Sequence, residues 1–324
     1  MPQIMTSYLD LVRHVLAHGD RKVNRTGIDT LSTFAQHYKV DISESLPLLT
    51  TKDMSGGVWK SLIYEMLWYL SGDHHIRDFE KHSKIWSSWA DEDRNLETAY
   101  GRFWRRFPFP DTHDRLPGEA WPDMEAMSKY VREEERSPGR YALNFDQIAY
   151  LCDLLIHQPN SRRMVMTAWH PANAAVSLLP PCHAFVVFNV SHLDPDTGLG
   201  RLNCHLTQRS GDIGLGIPFN LAGYSTLTYI LARATGHAPG TFSHTIVDAH
   251  IYCGDSDEDP YSHVPALQEQ ITRDPRPSPT LNLKGAPEAR TLEAALAFVD
   301  GLAFEDFDLQ GYNPHPRLRM KVAV

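Results

Sequence analysis

Cysteine is scarce in this sequence, and the spacing of the few residues present excludes two common roles. Four cysteines occur in 324 residues, Cys152, Cys182, Cys204 and Cys253. None belongs to a Cys-x-x-Cys pair, and their spacings do not fit a zinc site. Few and scattered cysteines are typical of the reducing cytoplasm. We therefore expect a cytoplasmic protein with free thiols and no metal site.

Basic charge and long apolar runs are missing as well. The 31 basic residues are outnumbered by 40 acidic ones, and the formal net charge is −9. Because polyanions bind to clustered basic residues, a nucleic-acid partner is not expected, although a few arginines suffice for a small anion. No apolar run reaches the roughly 20 residues of a transmembrane helix. The N-terminal stretch MPQIMTSYLDLVRHVLAHGD lacks the apolar region of a signal peptide, so no membrane association is expected.

Two kinds of apolar periodicity alternate along the chain and predict a mixed α+β fold. A spacing near 3.6 residues is typical of helices, and alternating or short apolar runs are typical of strands. Nothing resembles an interdomain linker, so we expect one domain over residues 1–324. The predicted helices cover 5–18, 58–70, 147–157 and 219–235, and the predicted strands cover 31–42, 164–169, 184–190, 201–208 and 248–252.

Residues 108–145 differ in composition from the rest of the chain. Prolines, acidic residues and arginines dominate there, and apolar periodicity is weak. Such a composition is typical of surface segments between regular elements. We predict a surface insertion with one short helix around 124–132.

Cys182 is a candidate nucleophile in the stretch LPPCHAF. A free cysteine often only packs in the core, and that interpretation stays open from the residues alone. However, Pro180 and Pro181 stiffen the approach to the strand that follows, and His183 is adjacent. A thiol held in one direction suits nucleophilic attack.

A second candidate feature is the polar cluster within QRSGDIGLGIPFN. Arg209 is expected to close a strand, Ser210 to open a turn, and Asn220 to lie near a helix start, where asparagine is a common cap. Capping alone would explain Asn220. It does not explain Arg209, Ser210, Asp212 and Asn220 together among apolar residues, and this combination suits an anionic ligand that carries a polar ring.

Further polar residues suggest contacts to phosphate and sugar groups. Arg162 and Arg163 directly precede a predicted strand, Arg25 lies in a predicted turn, and guanidinium groups match phosphate geometry. His250 and Tyr252 are expected on one face of a short strand, where they suit a sugar hydroxyl but equally a core polar contact.

Several longer segments resemble the folate-dependent thymidylate synthases that use a cysteine nucleophile. They follow the family's order along the chain and read NRTG, PLLTTK, YEMLWYLSGD, IWSSWADE, YGRFWR, NSRRMVMTAW, LPPCHAF, QRSGDIGLGIPFNLAGYS, DAHIY and GYNPHP, with a terminal VAV. The resemblance implies an α+β fold with a large six-stranded mixed sheet covered by helices. In this family two such sheets pack back to back across a homodimer.

The resemblance also implies a reaction. dUMP would be methylated to dTMP through a covalent adduct between Cys182 and C6 of the pyrimidine. The co-substrate 5,10-methylenetetrahydrofolate would give both the carbon and the hydride and leave as dihydrofolate, without a metal. Besides Cys182, the implied catalytic residues are Glu65, Tyr100, His183, Arg209 and Asn220. Burial of Glu65 in an apolar helix is expected to raise its pKa, and Arg209 is expected to lie close to Cys182 and lower its pKa.

The resemblance assigns further residues to ligands. The phosphate of dUMP would be held by Arg25, Arg209 and Ser210, together with Arg162 and Arg163 of the other subunit. Asn220 would contact N3 and O4 of the ring, and His250 and Tyr252 the 3′ hydroxyl. Asp212 would lie at the nucleotide and contact the pterin. The remaining folate residues would be Ile85, Trp86, Leu179, Gly216, Phe219 and Val324, the last closing over the ligands.

Some positions depart from the family pattern, and two other functions compete. Val187, Asn189, Val247 and Gly254-Asp255 replace usual family residues, and DMSGG after Lys52 has extra residues. A dUMP hydroxymethylase on the same scaffold, in which water replaces hydride, is the main alternative. Asn220 speaks against a cytosine substrate, and Trp86 with the VAV tail favours a dry site. A purely RNA-binding role conflicts with the net charge.

Overall fold

A large mixed β-sheet organises the structure, which is a computed structural model that describes residues 3–24, 26–96, 99–108, 127–137 and 140–323. Its strand order is β1-β2-β9-β8-β7-β6, and all neighbours are antiparallel except β8 and β9, which are parallel. The six strands are β1 (Asp20–Lys22), β2 (Thr30–Asp41), β6 (Val165–Thr167), β7 (His183–Ser191), β8 (Arg201–Asp212) and β9 (Ala238–Tyr252).

Helices pack against this sheet, and two smaller sheets lie outside it. The helices are α1 (Gln3–His18), α2 (Gly57–Ser71), α3 (Tyr100–Arg105), α4 (Gln147–His157), α5 (Pro171–Val176), α6 (Gly216–Thr235), α7 (Val264–Gln270) and α8 (Leu292–Asp300). One small sheet pairs β10 (Thr280–Leu283) with β11 (Phe307–Gln310), and the other contains β3 (Phe107–Pro108), β4 (Val131–Ser137) and β5 (Arg140–Phe145). This arrangement confirms the predicted α+β class.

The parallel pairing of β8 and β9 explains the long central helix. Parallel neighbours require a crossover connection, and α6 supplies it. Most of its apolar residues are buried, and Leu221, Leu227 and Leu231 are fully so. A polar side chain on the buried face of this helix is therefore surrounded by apolar core residues.

A second buried helix, α2, crosses the core. Leu62, Ile63 and Met66 are buried on it, and so is Glu65 between them. Gly72 ends the helix in the left-handed conformation, with φ of 74°. This confirms the predicted helix at 58–70 and the unusual position of its one acidic residue.

Two expectations from the sequence are wrong in detail, and a third falls only partly within the described residues. The predicted short helix around 124–132 begins outside those residues; within them, Met127 is helical, and a 3-10 turn at Ser128–Tyr130 runs into β4. Arg209 and Ser210 do not end a strand and begin a turn, because β8 continues to Asp212 beside its parallel partner. The strand at 248–252 is only the last third of the long β9.

The structure also corrects the expected helix cap at Asn220. The helix begins at Gly216, so Asn220 lies inside its second turn and Leu215 occupies the N-cap position. The departures from the family pattern at Val187, Asn189 and Val247 lie on β7 and β9.

Arg105 connects several elements beneath the sheet. It is 3 % exposed, and its guanidinium donates to Asp146 at 3.0 Å, to the carbonyl of Leu70 at 2.6 Å and to Asp300 at 2.7 Å. Asp146 in turn caps the N-terminus of α4 through the N–H of Ala149. One buried cation thus holds α2, α3, α4 and α8 together.

Replacing Arg105 should destabilise the fold strongly. Arg105→Ala leaves the buried carboxylate of Asp146 with less compensation, so we expect the free energy of unfolding to fall by about 3 kcal/mol. Urea unfolding followed by circular dichroism measures this. In the control Arg13→Ala, an exposed pair with Asp10 is lost, and the change should stay below about 1 kcal/mol. Equal losses in both variants would contradict the structural role of Arg105.

Candidate active site

The loop before β7 presents the thiol of Cys182. Its backbone N–H donates to the hydroxyl of Tyr100 at 2.8 Å, and the N–H of His183 approaches the same hydroxyl at 3.5 Å. The side chain of Cys182 is partly exposed, and its Sγ lies 4.0 Å from the carbonyl oxygen of Pro180. The sulfur is therefore accessible, while the backbone around it is fixed.

Arg209 holds the same loop from the neighbouring strand. Its Nε donates to the carbonyl of Pro181 at 3.0 Å, and its Nη2 donates to the carbonyl of Pro180 at 2.6 Å. Its backbone N–H donates to the carbonyl of Cys182 at 3.0 Å. Because the thiol and the guanidinium both approach the carbonyl oxygen of Pro180, a positive charge lies in the neighbourhood of the sulfur, and a nearby positive charge stabilises a thiolate.

The other three cysteines are placed differently. Cys152 and Cys204 are buried, and burial raises the pKa of each thiol to about 12. Cys253 is buried as well, and burial is again the main reason that its pKa is raised. Of the four, Cys182 is the one with an accessible sulfur.

Glu65 provides a carboxyl group that titrates near neutral pH. Its Oε1 accepts a hydrogen bond from the indole N–H of Trp86 at 2.7 Å. Burial raises the pKa of Glu65 to about 7, although Trp86 and Tyr69 act in the opposite direction. A side chain with this pKa is suited to exchange protons at physiological pH. The raised pKa agrees with the sequence-based expectation.

His183 and Tyr100 form a buried stacked pair beside the thiol. Their ring centroids lie 4.5 Å apart. Burial lowers the pKa of His183 to about 3. A side-chain hydrogen bond with Asn220 acts against this shift, and the charge of Arg209 adds to it. The imidazole is therefore neutral at physiological pH and adds no charge to the site.

Asn220 projects from α6 into the same region. Its Oδ1 accepts a hydrogen bond from Nε2 of Gln208 at 3.0 Å. A Cβ atom added at Gly216 would lie 3.8 Å from that Oδ1 and 3.7 Å from Cβ of Asp212. The start of α6 thus brings Asn220, Gly216 and Asp212 together, and Phe219 packs against the core one residue before Asn220.

A second charged group forms around Asp212. His263 is fully buried, its Nδ1 lies 3.3 Å from Oδ1 of Asp212, and its Nε2 lies 2.8 Å from the carbonyl oxygen of Lys321. Burial by itself would raise the pKa of Asp212, but His263, His250 and the N–H of Gly214 lower it below its usual value. The carboxylate is therefore charged, and His263 connects it to the C-terminal segment.

The parallel register of β8 and β9 aligns the residues expected at the sugar and phosphate. Ser210 lies opposite Asp248, and Asp212 lies opposite His250. The rings of His250 and Tyr252 are 5.4 Å apart. The structure therefore places Ser210, His250 and Tyr252 at one end of the sheet, near Arg209.

Other predicted ligand residues are less closely connected to this cluster. Arg162 and Arg163 are exposed just before the edge strand β6, and neither forms an ion pair within the described part of the chain. Ile85, 41 % exposed, precedes Trp86, and Leu179, partly buried, precedes Pro180. Two predicted residues, Arg25 and Val324, lie outside the described residues.

Comparison with known proteins agrees with this geometry. A family model described as thymidylate synthase matches residues 6–324. A thymidylate synthase from Haloferax volcanii is 44 % identical, and the alignment covers 97 % of this chain and 95 % of the relative. The chain belongs to the thymidylate synthase family.

Sequence reasoning missed three residues of this thymidylate synthase site. Gln208, which bonds Asn220, was read only as the start of a polar cluster. Lys52 is buried, and its Nζ donates to the carbonyl of Gly214 at 2.5 Å. Burial lowers the pKa of Lys52 to about 8, although the negative charge of Asp212 acts in the opposite direction. A lysine in the otherwise apolar and hydroxylic PLLTTK was the available signal for it.

His263 was missed because an acidic loop separates it from DAHIY. The backbone N–H of His263 donates to the carbonyl of Tyr252 at 2.8 Å, and the two rings lie 5.5 Å apart. Residues 255–261 thus form a loop after β9, and His263, shortly after this loop, contacts Tyr252 at the end of β9.

Two kinds of feature are absent from the part of the chain that the structure describes. In the described ranges, no cluster of three or more His, Cys, Asp or Glu side chains is arranged to hold a metal ion. Among the helices that the structure describes, none combines the length and apolar character needed to cross a membrane.

The titration of Glu65 should appear in the stability of the protein. The pKa of Glu65 rises from 4.5 to about 7 on folding. The contribution of protonated Glu65 to the free energy of unfolding is therefore fully present below pH 4.5 and is lost as the pH rises through about 7. The loss amounts to about 3 kcal/mol. Urea unfolding of wild type and Glu65→Gln between about pH 5 and pH 8 measures it.

We expect the stability of wild type relative to Glu65→Gln to decline as pH rises over this range. Glu258→Gln, at an exposed glutamate of the acidic loop, is the control and should follow the wild-type curve. A constant difference between wild type and Glu65→Gln would show that Glu65 does not titrate there.

Proposed function

We propose that this member of the thymidylate synthase family methylates dUMP to dTMP, with Cys182 as the nucleophile. The observation that carries this proposal is the partly exposed Cys182, whose loop is held through its backbone by the Tyr100 hydroxyl and the Arg209 guanidinium. C5 of a pyrimidine is a poor nucleophile. Addition of a thiolate at C6 turns it into an enolate equivalent, which is able to attack a one-carbon donor.

Arg209 has two proposed roles, which are to stabilise the thiolate of Cys182 and to contact the phosphate of dUMP. Its guanidinium lies beside the thiol and supplies positive charge for the thiolate. Ser210 follows it near the end of β8, and we assign both residues to the phosphate of dUMP. His250 and Tyr252, at the same end of the sheet, are the proposed partners of the 3′ hydroxyl.

Asn220 is the proposed reader of the uracil ring. An amide offers one acceptor and one donor, which matches the N3–H donor and the O4 acceptor of uracil. Glu65, with its pKa near 7, is proposed to move protons at O4 through water, and Tyr100 and His183 are proposed members of the same hydrogen-bond network.

The proposed co-substrate is 5,10-methylenetetrahydrofolate, which supplies both the carbon and the hydride and leaves as dihydrofolate. The charged carboxylate of Asp212 fits N–H donors of a pterin ring. Trp86, Ile85, Leu179, Phe219 and Gly216 are the proposed walls of this region. Val324 is the proposed closing residue, and the contact between His263 and Lys321 supports the approach of the C-terminal segment to Asp212.

A homodimer is proposed to complete the site, with Arg162 and Arg163 donated to the phosphate of the partner subunit. Both arginines are exposed and lack a carboxylate partner in the described ranges, as expected for residues that bind elsewhere. Phe34 and Phe185 on the large sheet are 79 % and 44 % exposed. Exposed aromatic side chains on one sheet support its burial against a second copy.

We further propose one domain over residues 1–324, with residues 108–145 as a surface insertion, and a cytoplasmic location. The connection of α2, α3, α4 and α8 by Arg105 supports a single folding unit. None of the four cysteines forms a disulfide, which supports a reducing compartment.

Product analysis tests the proposed reaction. Wild type incubated with dUMP and 5,10-methylenetetrahydrofolate should yield dTMP and dihydrofolate. 5-Hydroxymethyl-dUMP with tetrahydrofolate would instead identify a hydroxymethylase. Cys182→Ser should lower turnover by at least about 10³-fold, because the thiolate is lost. The control Cys253→Ser removes a buried thiol and should keep most activity, and turnover retained by Cys182→Ser would refute the assigned nucleophile.

Mixing two inactive variants tests the shared site. Cys182→Ala and the double variant Arg162→Ala/Arg163→Ala should each lose activity. After both are unfolded and refolded together, one site of each mixed dimer combines an intact Cys182 with intact arginines. We expect recovery of roughly a quarter of the wild-type activity. No recovery, with mixed dimers present by native mass spectrometry, would place the arginines in their own subunit's site or outside it.

A further inference from the structure

Asn220 is the end of a chain of buried hydrogen bonds that crosses the sheet. Nε2 of Gln208 on β8 bonds Oδ1 of Asn220 at 3.0 Å, and Oε1 of Gln208 lies 2.9 Å from Nε2 of His244 on β9. Nδ1 of His244 lies 2.9 Å from the hydroxyl of Tyr38 on β2. All four residues are buried, and His244 is fully so.

A backbone carbonyl fixes the direction of this chain. Nε2 of Gln208 also lies 2.9 Å from the carbonyl oxygen of Ser210. A carbonyl only accepts hydrogen bonds, so the atom facing it must be the amide nitrogen of Gln208. The opposite end of that amide, facing His244, is therefore the oxygen. The orientation of Gln208 does not depend on an arbitrary choice between its two terminal atoms.

The oxygen of Gln208 determines the state of His244. An acceptor at 2.9 Å requires that Nε2 of His244 carries a hydrogen. Burial lowers the pKa of His244 well below its usual value, and the neighbouring imidazoles of His183, His205 and His37 act in the same direction. The imidazole is thus neutral, its Nδ1 is an acceptor, and the hydroxyl of Tyr38 donates to it.

At the other end, the amide nitrogen of Gln208 determines the orientation of Asn220. It donates one hydrogen to Ser210, and its second hydrogen points at the side chain of Asn220. Only the oxygen of Asn220 accepts it. If Asn220 were turned over, two N–H donors would face each other in a buried environment, which is strongly unfavourable.

We propose that Tyr38 and His244 are positioning residues that, through Gln208, hold the amide of Asn220 in the one orientation that fits uracil. Uracil presents a donor at N3 and an acceptor at O4, whereas cytosine presents an acceptor at N3 and a donor at N4. Recognition of cytosine would require the opposite orientation of Asn220. The proposal rests on the proposed contact between Asn220 and the pyrimidine, and it assigns part of the selectivity for uracil to residues that lie one and two strands away from Gln208.

The first test reads the direction of the chain in the unaltered protein. The ¹⁵N chemical shifts of the His244 imidazole, assigned by backbone correlation, report its charge and tautomer. We expect a neutral ring with hydrogen on Nε2 throughout the neutral pH range. A charged ring, or hydrogen on Nδ1, would overturn the proposed direction. This measurement requires no variant and no substrate.

The second test uses Tyr38→Phe, which removes only the terminal hydroxyl. His244 then loses the hydrogen-bond donor that keeps its Nδ1 unprotonated, so the hydrogen bond from its Nε2 to the oxygen of Gln208 weakens. We expect kcat/KM for dUMP to fall about threefold to tenfold. The preference for dUMP over dCMP is measured as the ratio of the dCMP inhibition constant to the KM for dUMP, and we expect this ratio to fall by a similar factor. Tyr229→Phe, which loses a hydroxyl bonded to the carbonyl of Ile42 at 2.7 Å, is the matched control.

The outcomes separate this proposal from the proposed function. An unchanged preference in a folded Tyr38→Phe, with wild type converting dUMP to dTMP, overturns the role of Tyr38 and His244 only. A wild type that does not convert dUMP overturns the proposed function instead. Equal narrowing in Tyr229→Phe would also overturn the proposal, because a general loss of stability would then explain it.

Discussion

The position of the Cys182 thiol depends on hydrogen bonds that side chains make to the backbone beside it. Pro180 and Pro181 have no N–H groups and cannot be held by a strand ladder. Their carbonyl groups are bound by Arg209 instead, and the N–H of Cys182 is bound by Tyr100. The sulfur, the cation and the hydroxyl are consequently fixed relative to one another before any ligand arrives, which is the preorganisation that catalysis requires.

Burial gives the remaining polar groups their properties. Glu65 and Asn220 lie on helices whose other residues form the core, so each has few partners and each partner matters. For Glu65, burial places the pKa near neutrality. For Asn220, burial makes the contact with Gln208 important, because a donor or acceptor left without a partner there is strongly penalised.

The sequence predicts the main elements and most candidate site residues, and its failures have physical reasons. The helix over 147–157 and the strand around 31–42 follow from apolar periodicity alone. The end of β8 was misread because Arg209, Ser210 and Gly211 have the composition of a turn, while their parallel partner on β9 keeps them extended. Gln208 and His263 were missed because their contacts join segments distant in the chain, and no local pattern reveals such contacts.

The parallel register of β8 and β9 has a consequence for how this protein can change. Asp212 and His250 face each other across that pair, one on the side proposed for folate and the other on the side proposed for the sugar. Side chains alternate between the two faces of a strand, so one residue inserted into β8 or β9 ahead of this pair would turn Asp212 or His250 to the opposite face. Variation in length is therefore tolerated more easily outside these strands, as in the acidic loop between β9 and His263.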